Sequence, residues 1–560
     1  AVTVALDARA LDAAVSRASR ALCSTPHRRA VVVSTARDGA DALITLLAAA
    51  RARRTVCTVD TEAWPPARCQ AALDAARAKD VVCGTADDAR DVKARLGIDG
   101  DDDVGIIVMD AFDDDLGGLD ANEEEEEVEP NATWYLAFTS GTTGGAPKPV
   151  PATHDAVMAY ARNKIAVERI QSDSVVVLAS NATFDLYMGD ACAAVLAGAT
   201  CAASSRAMIQ SDFARVVRAS GATHACCTPT VFSLLRCAPS EVPTLRCVTL
   251  AGEKMSTRTL ETWAPAVELY NAYGATETTV VQTYARMRVG DDARRAGKAY
   301  AIDGFACVYI AKRKDEDEDE CGATFIDDVG VAGEIVIGGA CVSAGYVGDV
   351  ARTAEAFVNT DRGRVYFTGD DGYVDESGEL YVLGRRDRQV KIRGYRVELD
   401  EIEVVLRACD ALVANAVVFY DVNGDDAQSS ALTAHVQLRR DDDAFDDGVY
   451  ARALERWARH RLPTHAVPLR YVFVDFASWP MTSSGKTCRM TLRERLLEGV
   501  TSVYRPRYEA PRNGVERALA RMWTEALGLS DERGVGALDA FDAIGGTSLN
   551  VLLVSRALVE

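Results

Sequence analysis

The first hundred residues alternate short helical and strand patterns, and this alternation constrains the fold more than any other feature. Apolar residues recur with helical spacing over Leu11–Leu22 and over Asp41–Ala50. Strand-like apolar runs occur at Val31–Val33, Thr55–Val59 and Val81–Cys83. Because parallel strands need long crossover connections, usually helices, such an alternation predicts an α/β domain with a buried parallel sheet.

The pattern changes after Gly384. The next stretch, 385–396, is rich in charged residues, and Val397–Leu406 has the spacing of an amphipathic helix. Val413–Tyr420 and Leu432–Leu438 then have strand patterns. This mixture predicts a second, smaller domain of the α+β class.

Two further segments complete the predicted organisation. Pro506, Pro511 and Gly514 mark a linker, and the rest of the chain has a helical pattern interrupted by a Gly-Gly pair. The predicted parts are a large α/β domain over 1–386, a small α+β domain over 387–500, a linker over 501–513 and an all-α segment over 514–560.

The composition argues against several classes of function. The 560 residues contain 62 Lys and Arg against 83 Asp and Glu, a net charge of −21, whereas nucleic-acid binding needs clustered positive charge. The 15 Cys form no CxxC pair and the six His are scattered, so a zinc site is not expected. The apolar stretch Ala42–Ala50 is too short to span a bilayer. We therefore expect no nucleic-acid partner, no membrane partner and a reduced, cytoplasmic setting.

The strongest local signal is the segment Phe138–Val150, which reads FTSGTTGGAPKPV. It combines hydroxyl side chains, glycines that let the backbone approach an anion, and one positive charge. These are Ser140, Thr142, Thr143, Gly141, Gly144, Gly145 and Lys148. The composition predicts a loop around the β- and γ-phosphates of a nucleotide, although no Walker A motif occurs.

Five further motifs follow in order: NAYGATET at 271–278, YFTGDD at 366–371, GRRDRQVKIRGYRVELDEIE at 384–403, RLPTHAVP at 461–468 and PMTSSGKTCR at 480–489. Together with the glycine-rich loop, they resemble the adenylate-forming superfamily over nearly the whole chain. That group includes acyl-CoA synthetases, luciferases and the adenylation domains of non-ribosomal peptide synthetases.

The resemblance implies that ATP binds with Mg²⁺. A carboxylate would attack the α-phosphate and expel pyrophosphate, a step that depends on positioning and charge neutralisation. Tyr273 would stack on adenine, Thr276 would contact the α-phosphate, and Asp370 would accept hydrogen bonds from the ribose hydroxyls. The implied nucleotide-binding residues are Thr139, Ser140, Gly141, Thr142, Gly144, Gly252, Glu253, Asn271, Tyr273, Gly274, Thr276, Asp370 and Arg385.

The same resemblance implies a small catalytic set. Thr143 and Lys148 would act from the phosphate loop, and Glu277 would hold Mg²⁺. Lys486 would lie on a mobile loop of the small domain and bridge the carboxylate and the phosphate or ribose oxygens. Asp387 matches the hinge about which the small domain rotates, so the small domain is expected to be mobile.

The implied amino-acid pocket begins at Asp185, where amino-acid-activating relatives place a carboxylate that pairs with the substrate α-ammonium. The remaining lining would be Leu186, Gly189, Cys226, Thr249, Ala251, Ala272, Val280 and Val281. This set holds no further charge, and a charged substrate side chain would be left unpaired. Small residues at 189, 251 and 272 are expected to leave room for an aromatic or long apolar side chain.

The end of the chain supplies a second motif. Asp539–Leu549 reads DAFDAIGGTSL and resembles the attachment site of acyl or peptidyl carrier domains. Ser548 would carry 4'-phosphopantetheine, added by a separate phosphopantetheinyl transferase, so 514–560 would be a partial all-α carrier domain. Downstream synthetase or reductase domains are the expected partners.

The chain departs from the family pattern in places. Two residues, Gly145 and Ala146, separate Gly144 from Pro147 where one is usual, and Ala275 replaces the usual proline. The favoured function is ATP-dependent activation of an amino acid and its transfer to a carrier phosphopantetheine. The alternatives are a module of the aminoadipate-reductase or β-alanine-activating type, an acyl-CoA ligase that uses free CoA, and a scaffold without catalysis.

Overall fold

The computed structural model describes residues 8–26, 31–35, 39–96, 104–109, 129–139, 147–235, 237–312, 324–385, 388–392, 395–409, 412–421, 431–439, 447–474, 479–480, 487, 489, 491–493, 509–527, 535–537, 539, 541 and 554. These residues form two compact units. The large unit comprises the described residues up to 385, and the small unit comprises those from 388 onward.

A six-stranded sheet forms the first part of the large unit. Its strands are β1 (Val31–Ser34), β2 (Val56–Thr58), β3 (Ala78–Cys83), β4 (Gly105–Val108), β5 (Thr133–Thr139) and β6 (Lys148–Thr153). They lie in the order β4-β3-β1-β2-β5-β6, and every neighbouring pair is parallel except β5 with β6. Val32, Val33 and Val81 are fully buried, as expected for strands covered on both faces.

Helices connect these strands in the predicted alternation. They are α1 (Ala8–Ser24), α2 (Gly39–Arg51), α3 (Pro66–Ala76), α4 (Ala86–Leu96) and, after β6, α5 (His154–Glu168). The helices predicted over Leu11–Leu22 and Asp41–Ala50 coincide with α1 and α2. The predicted α/β architecture with a parallel sheet is therefore confirmed.

A second sheet of 13 strands continues the large unit. Its strands are β7 (Val175–Val177), β8 (Thr200–Ala202), β9 (His224–Cys227), β10 (Cys247–Ala251), β11 (Glu268–Tyr273), β12 (Thr283–Arg286), β13 (Arg295–Ala299), β14 (Cys307–Lys312), β15 (Thr324–Ile326), β16 (Gly333–Gly338), β17 (Phe357–Thr360), β18 (Gly363–Val374) and β19 (Leu380–Arg385). Strands β11-β10-β9-β7-β8 are parallel neighbours, and the other pairs are antiparallel.

The helices of this region begin at identifiable signals. They are α6 (Asp185–Leu196), α7 (Arg206–Ser220), α8 (Pro229–Phe232), α9 (Thr257–Trp263) and α10 (Val350–Ala356). Ser205 and Ser256 cap α7 and α9 by accepting a backbone hydrogen bond from the first turn. Helix α6 instead carries Asp185 in its first turn, where the helix dipole favours a negative charge.

The small unit contains a two-stranded and a three-stranded sheet. Its elements are β20 (Gln389–Ile392), β21 (Tyr395–Glu398), α11 (Leu399–Arg407), β22 (Val413–Asp421), β23 (Ala431–Leu438), α12 (Asp447–Arg459), β24 (Arg470–Phe473) and α13 (Gly514–Leu527). The helix expected from Val397 begins two residues later, because Val397 pairs with Val390 in the β20–β21 hairpin. A smaller domain after the large one is confirmed. Among the described residues of the chain, none of the helices is both long and apolar enough to cross a membrane.

Candidate active site

The ends of two neighbouring parallel strands bring several predicted residues together. In β10 and β11, Ala251 is the register partner of Ala272. Gly252 therefore follows β10 where Tyr273 completes β11, at the same edge of the sheet. Gly252 has a φ of +88°, a conformation that glycine adopts without strain. Ligands of α/β sheets bind outside the carboxyl ends of the strands, so this edge is the expected position for a nucleotide.

Three of the predicted nucleotide-binding residues contact one another here. The hydroxyl of Tyr273 donates to Asp370 Oδ2 over 2.6 Å, and Arg385 Nη1 lies 3.1 Å from Asp370 Oδ1. Asp370 and Arg385 are also register partners on β18 and β19. Burial and the adjacent Asp370 carboxylate raise the pKa of Tyr273 well above its ordinary value, so the phenol stays protonated and keeps donating.

A second group of contacts surrounds the predicted metal ligand. Glu277 is fully buried, and its Oε1 accepts a hydrogen bond of 2.9 Å from the hydroxyl of Tyr346. Lys148 Nζ lies 4.8 Å from the centre of the same tyrosine ring, within the range of a cation–π contact. Thr139 is the register partner of Lys148 on β5 and β6. Tyr346 thus connects the predicted phosphate lysine with the predicted metal ligand.

The sequence did not reveal Tyr346. It follows Gly345 in a segment between β16 and α10 and belongs to none of the six motifs that carry the resemblance. A tyrosine that follows a glycine is not a recognisable functional motif. Its importance depends on contacts with residues 69 and 198 positions earlier in the chain, Glu277 and Lys148.

A strained turn holds two predicted pocket residues. Thr279 and Val280 have φ values of +61° and +69°, and such conformations cost on the order of 1–3 kcal/mol each in residues other than glycine. The turn is held by Thr279, whose hydroxyl donates to the Cys341 carbonyl over 2.9 Å. It also packs on Gly274, where a β-carbon would lie 2.4 Å from Val281 Cα. The turn fixes Val280 and Val281 beside Ala272 in one buried cluster.

Some predicted nucleotide-binding side chains make structural hydrogen bonds. Asn271 Nδ2 donates to the Arg295 carbonyl over 2.7 Å, and Glu253 accepts from the backbone N–H of Thr230, in the first turn of α8, over 2.9 Å. Thr276 lies in a short helix with Glu277, at 276–278.

The predicted pocket residues are close together and buried. Leu186, Cys226, Ala251, Ala272, Val280 and Val281 belong to one buried apolar cluster. Asp185 is also buried, at the start of α6. The cluster contains Tyr273 of the nucleotide group as well. The predicted nucleotide edge and the predicted pocket are therefore parts of one packed region.

Comparison with known proteins identifies the family of the chain. The family model described as "AMP-binding enzyme" matches residues 4–347, and the one described as "AMP-binding enzyme C-terminal domain" matches residues 401–486. The chain belongs to the family of AMP-binding enzymes.

Two curated proteins are similar in sequence to this AMP-binding enzyme. It is 33% identical to tyrocidine synthase 3 of Brevibacillus parabrevis over 431 residues, which are 75% of this chain and 6% of that protein. It is 30% identical to phosphinothricin tripeptide synthetase PhsC of Streptomyces viridochromogenes over 563 residues, 97% of this chain and 47% of that protein. The chain thus spans less than half the length of these relatives.

Two solved structures share the fold of this AMP-binding enzyme. One is an NRPS protein with adenylation and PCP domains, solved with a vinylsulfonamide inhibitor: TM-score 0.72, 22% identity, 97% of this chain and 86% of that chain covered. The other is the Vibrio cholerae adenylation domain AlmE with glycyl-adenosine-5'-phosphate: TM-score 0.71, 21% identity, 87% of this chain and 92% of that chain covered.

A buried group of charges lies directly behind the predicted pocket of this AMP-binding enzyme. Lys164 Nζ lies 2.6 Å from Glu168 Oε1 and 3.1 Å from Asp190 Oδ1, and all three side chains are at most 3% exposed. The predicted pocket residue Thr249 donates its hydroxyl to Glu168 Oε1 over 2.6 Å. The lining itself carries no charge beyond Asp185, but charged side chains contact it from behind.

The pKa values in this group follow from burial and pairing. Burial raises the pKa of Asp190 to about 7, against the opposing effect of Lys164. Burial alone would lower the pKa of Lys164, but Asp190, Cys226 and Glu168 together raise it well above its ordinary value. Lys164 therefore stays charged and holds the two carboxylates. Two sequence signals were available: the (i, i+4) spacing of Lys164 and Glu168, and Asp190, an acid in the middle of the otherwise apolar part of α6 that follows Asp185.

Several predicted residues lie outside the part of the chain that the structure describes. They are Ser140, Gly141, Thr142, Thr143 and Gly144 of the phosphate loop, the hinge Asp387, the catalytic Lys486 and the carrier Ser548. Their roles remain predictions.

Proposed function

We propose that this chain activates the carboxylate of an α-amino acid with ATP and forms an aminoacyl-adenylate with release of pyrophosphate. The thiol of a carrier phosphopantetheine then takes the aminoacyl group as a thioester, with release of AMP. One observation carries the proposal: the same buried cluster contains Tyr273, which contacts Asp370, and Leu186, which follows Asp185. A nucleotide bound at Tyr273 and Asp370 would be close to an amino acid bound at Asp185. The amino-acid carboxylate could then reach the α-phosphate.

The nucleotide would be bound mainly through its ribose and base. Asp370 is held by Tyr273 and Arg385, so its carboxylate is oriented before the ligand arrives. Such preorganisation reduces the entropy that binding must remove. The Tyr273 ring would support adenine, and Gly252 would let the backbone pass close to it.

The phosphates would bind near Lys148 and Glu277. The attack gathers negative charge on the α-phosphate, and Lys148, held over Tyr346, supplies a positive charge to that region. Mg²⁺ usually keeps several water ligands and binds through one or two carboxylates plus substrate phosphates, so the single carboxylate of Glu277 fits it. When bound, Mg²⁺ would neutralise charge on the phosphate oxygens, with Glu277 as its protein ligand.

The amino acid would be oriented by Asp185. Its carboxylate lies in the first turn of α6 and is buried, where an ion pair with an α-ammonium group is screened less by solvent. This pair would direct the substrate carboxylate away from the pocket and toward the phosphates. The lining from Leu186 to Val281 would enclose the side chain.

The transfer step would involve the small unit. Lys486 would neutralise charge during adenylation, rotation about Asp387 would then remove it, and the phosphopantetheine on Ser548 would receive the aminoacyl group. The relatives are peptide synthetases, which supports a carrier as the acceptor and further synthetase or reductase domains as partners. A phosphopantetheinyl transferase would be needed to modify Ser548.

The test is amino-acid-dependent exchange of labelled pyrophosphate into ATP. The full chain is assayed with a panel of α-amino acids, and with fatty and aryl acids that lack the α-ammonium group. Exchange with one or a few amino acids and none with the other acids supports the proposal. Exchange only with acids that lack the ammonium group contradicts the role of Asp185, and no exchange with any acid contradicts adenylation altogether.

A further inference from the structure

The space beside Gly189, which the sequence led us to expect to be open, is occupied. A β-carbon built on Gly189 would lie 2.5 Å from Tyr160 Cε1 and 3.1 Å from Val280 Cγ1. The first distance is shorter than real Cβ contacts. A side chain larger than glycine at position 189 would therefore overlap with the Tyr160 ring. In this chain the Tyr160 ring, on α5, fills that space.

Neighbouring rings hold the Tyr160 side chain in place. It is fully buried and packs edge-on against Tyr300, with ring centroids 6.0 Å apart and an interplanar angle of 78°. Phe305 lies against it at a centroid distance of 5.9 Å. Side chains in packed cores interdigitate with few voids, so the Tyr160 ring cannot adopt another rotamer without displacing Tyr300 and Phe305.

The buried charges fix the helix that carries this ring. Tyr160, Lys164 and Glu168 follow one another at four-residue intervals and lie on one face of α5. Lys164 binds Asp190 of α6, and Glu168 accepts the hydroxyl of Thr249 on β10. Separating a buried pair leaves an uncompensated charge and is strongly destabilising, so α5 cannot withdraw from α6 at low cost.

The rest of the predicted lining is equally closed. Leu186 is 6% exposed, and Cys226, Ala251, Ala272 and Val280 are exposed by 4% or less. Small residues at these positions therefore do not open a long channel, because their neighbours fill the volume.

We propose that Tyr160 is a specificity-determining residue of the amino-acid pocket and that the substrate is an α-amino acid with a short side chain, of the glycine, alanine or serine class. The inference rests on the proposed adenylation function and replaces the aromatic or long apolar side chain expected from the lining residues alone. Asp185 keeps its role toward the α-ammonium, and the tyrosine ring limits how far a side chain extends beyond it.

The experiment measures kcat/KM for pyrophosphate exchange with glycine, alanine, serine, leucine and phenylalanine. The wild-type full chain should favour one of the three short amino acids over leucine and phenylalanine by about tenfold or more, the scale of discrimination that a pocket achieves by size. Tyr160→Ala should raise the ratio of long to short substrates by about tenfold or more. Tyr160→Phe keeps the ring volume and is the matched control, so it should keep the wild-type profile.

The outcomes separate the two proposals. Wild-type preference for leucine or phenylalanine, or an unchanged ratio in a folded Tyr160→Ala, would overturn the inference and leave adenylation intact. If Tyr160→Ala does not fold, Tyr160→Leu replaces the ring by a smaller apolar side chain, and the same change of ratio is required of it. Absence of exchange with every amino acid would contradict the proposed function itself.

Discussion

The nucleotide edge and the amino-acid pocket are built on different principles, although one buried cluster contains parts of both. At the nucleotide edge, charged and polar groups such as Asp370 and Arg385 bind one another, and the ligand is expected to be recognised by charge and hydrogen bonding. In the pocket, the decisive feature is volume, because a ring from α5 occupies the space beside Gly189. The nucleotide edge depends on residue types within short motifs. The volume of the pocket depends on which side chains from distant parts of the sequence pack against its lining.

This difference explains where substitutions should act. The loss of a group that binds a ligand by charge should fall mainly on the one substrate that it binds. A buried group behind the pocket, such as Lys164, pairs with carboxylates on α5 and α6, so its loss should lower the stability of the fold. Four substitutions test this distinction between the two regions.

Lys164→Met should lower the free energy of unfolding of the large unit by about 3–5 kcal/mol, the usual cost of leaving buried charges without their partner. Glu168 would then lie buried without its cation, and Asp190, whose pKa burial already raises to about 7, would take up a proton once Lys164 no longer lowers that pKa. Urea denaturation followed by tryptophan fluorescence measures the change. Asp190→Asn is the comparison, and it should cost less because one carboxylate is enough to balance Lys164. Equal costs for the two variants would mean that the group is not organised around the lysine.

Asp370→Asn should reduce pyrophosphate exchange by about two orders of magnitude, since hydrogen bonds to charged groups contribute about 1.5–3 kcal/mol and Arg385 would also lose its partner. The loss should appear as a higher KM for ATP, with the choice of amino acid unchanged. Glu376→Gln, at an exposed turn between β18 and β19, is the control and should have no effect. A change of amino-acid preference in Asp370→Asn would show that the two regions are not separable.

Asp185→Ala should weaken activation of the amino acid by about 1.5–3 kcal/mol, the scale of one charge-assisted hydrogen bond. The affinity for ATP should stay nearly the same, because Asp185 is proposed to bind the amino acid and not the nucleotide. Steady-state exchange kinetics with each substrate varied in turn separate the two effects. An equal loss of ATP affinity would contradict the assignment of Asp185 to the amino acid.

Tyr346→Phe should slow exchange by about tenfold to a hundredfold, because a hydrogen bond to a charged group such as Glu277 contributes about 1.5–3 kcal/mol. The ring would remain under Lys148, so KM for the amino acid should not change. Tyr373→Phe, whose ring stacks on Tyr381, is the matched control and should exchange at the wild-type rate. If both variants behave alike, the contact between Tyr346 and Glu277 has no part in the reaction.

The fold and the nucleotide edge were largely predictable from the sequence. The alternation of helix and strand patterns before residue 110 predicted the parallel sheet, because the spacing of apolar residues distinguishes buried strands from the helices that connect them. Likewise, Tyr273, Asp370 and Arg385 stand in motifs that also fix the nearby backbone, and the structure brings the three into contact.

The pocket was less predictable. Gly189 and the alanines indicated open space, yet the volume at a glycine depends on what packs against it. Tyr160 is 29 residues earlier in the chain, on helix α5. Tyr346 and the Lys164 group were missed for the same reason. Their surroundings are set by tertiary contacts between segments that are distant in the sequence, and the spacing of residues along the chain does not predict such contacts.

The most direct test of the account is calorimetric titration of a non-hydrolysable glycyl-sulfamoyl-adenosine, which joins both halves of the reaction in one ligand, against sulfamoyl-adenosine without the aminoacyl group. We predict that the glycyl compound binds the wild-type chain at least about tenfold more tightly, since the Asp185 pair contributes on the scale of a charge-assisted hydrogen bond. That advantage should disappear in Asp185→Ala and persist in Asp370→Asn. Equal affinity of the two compounds for the wild-type chain would contradict the claim that the nucleotide edge and an amino-acid pocket form one site.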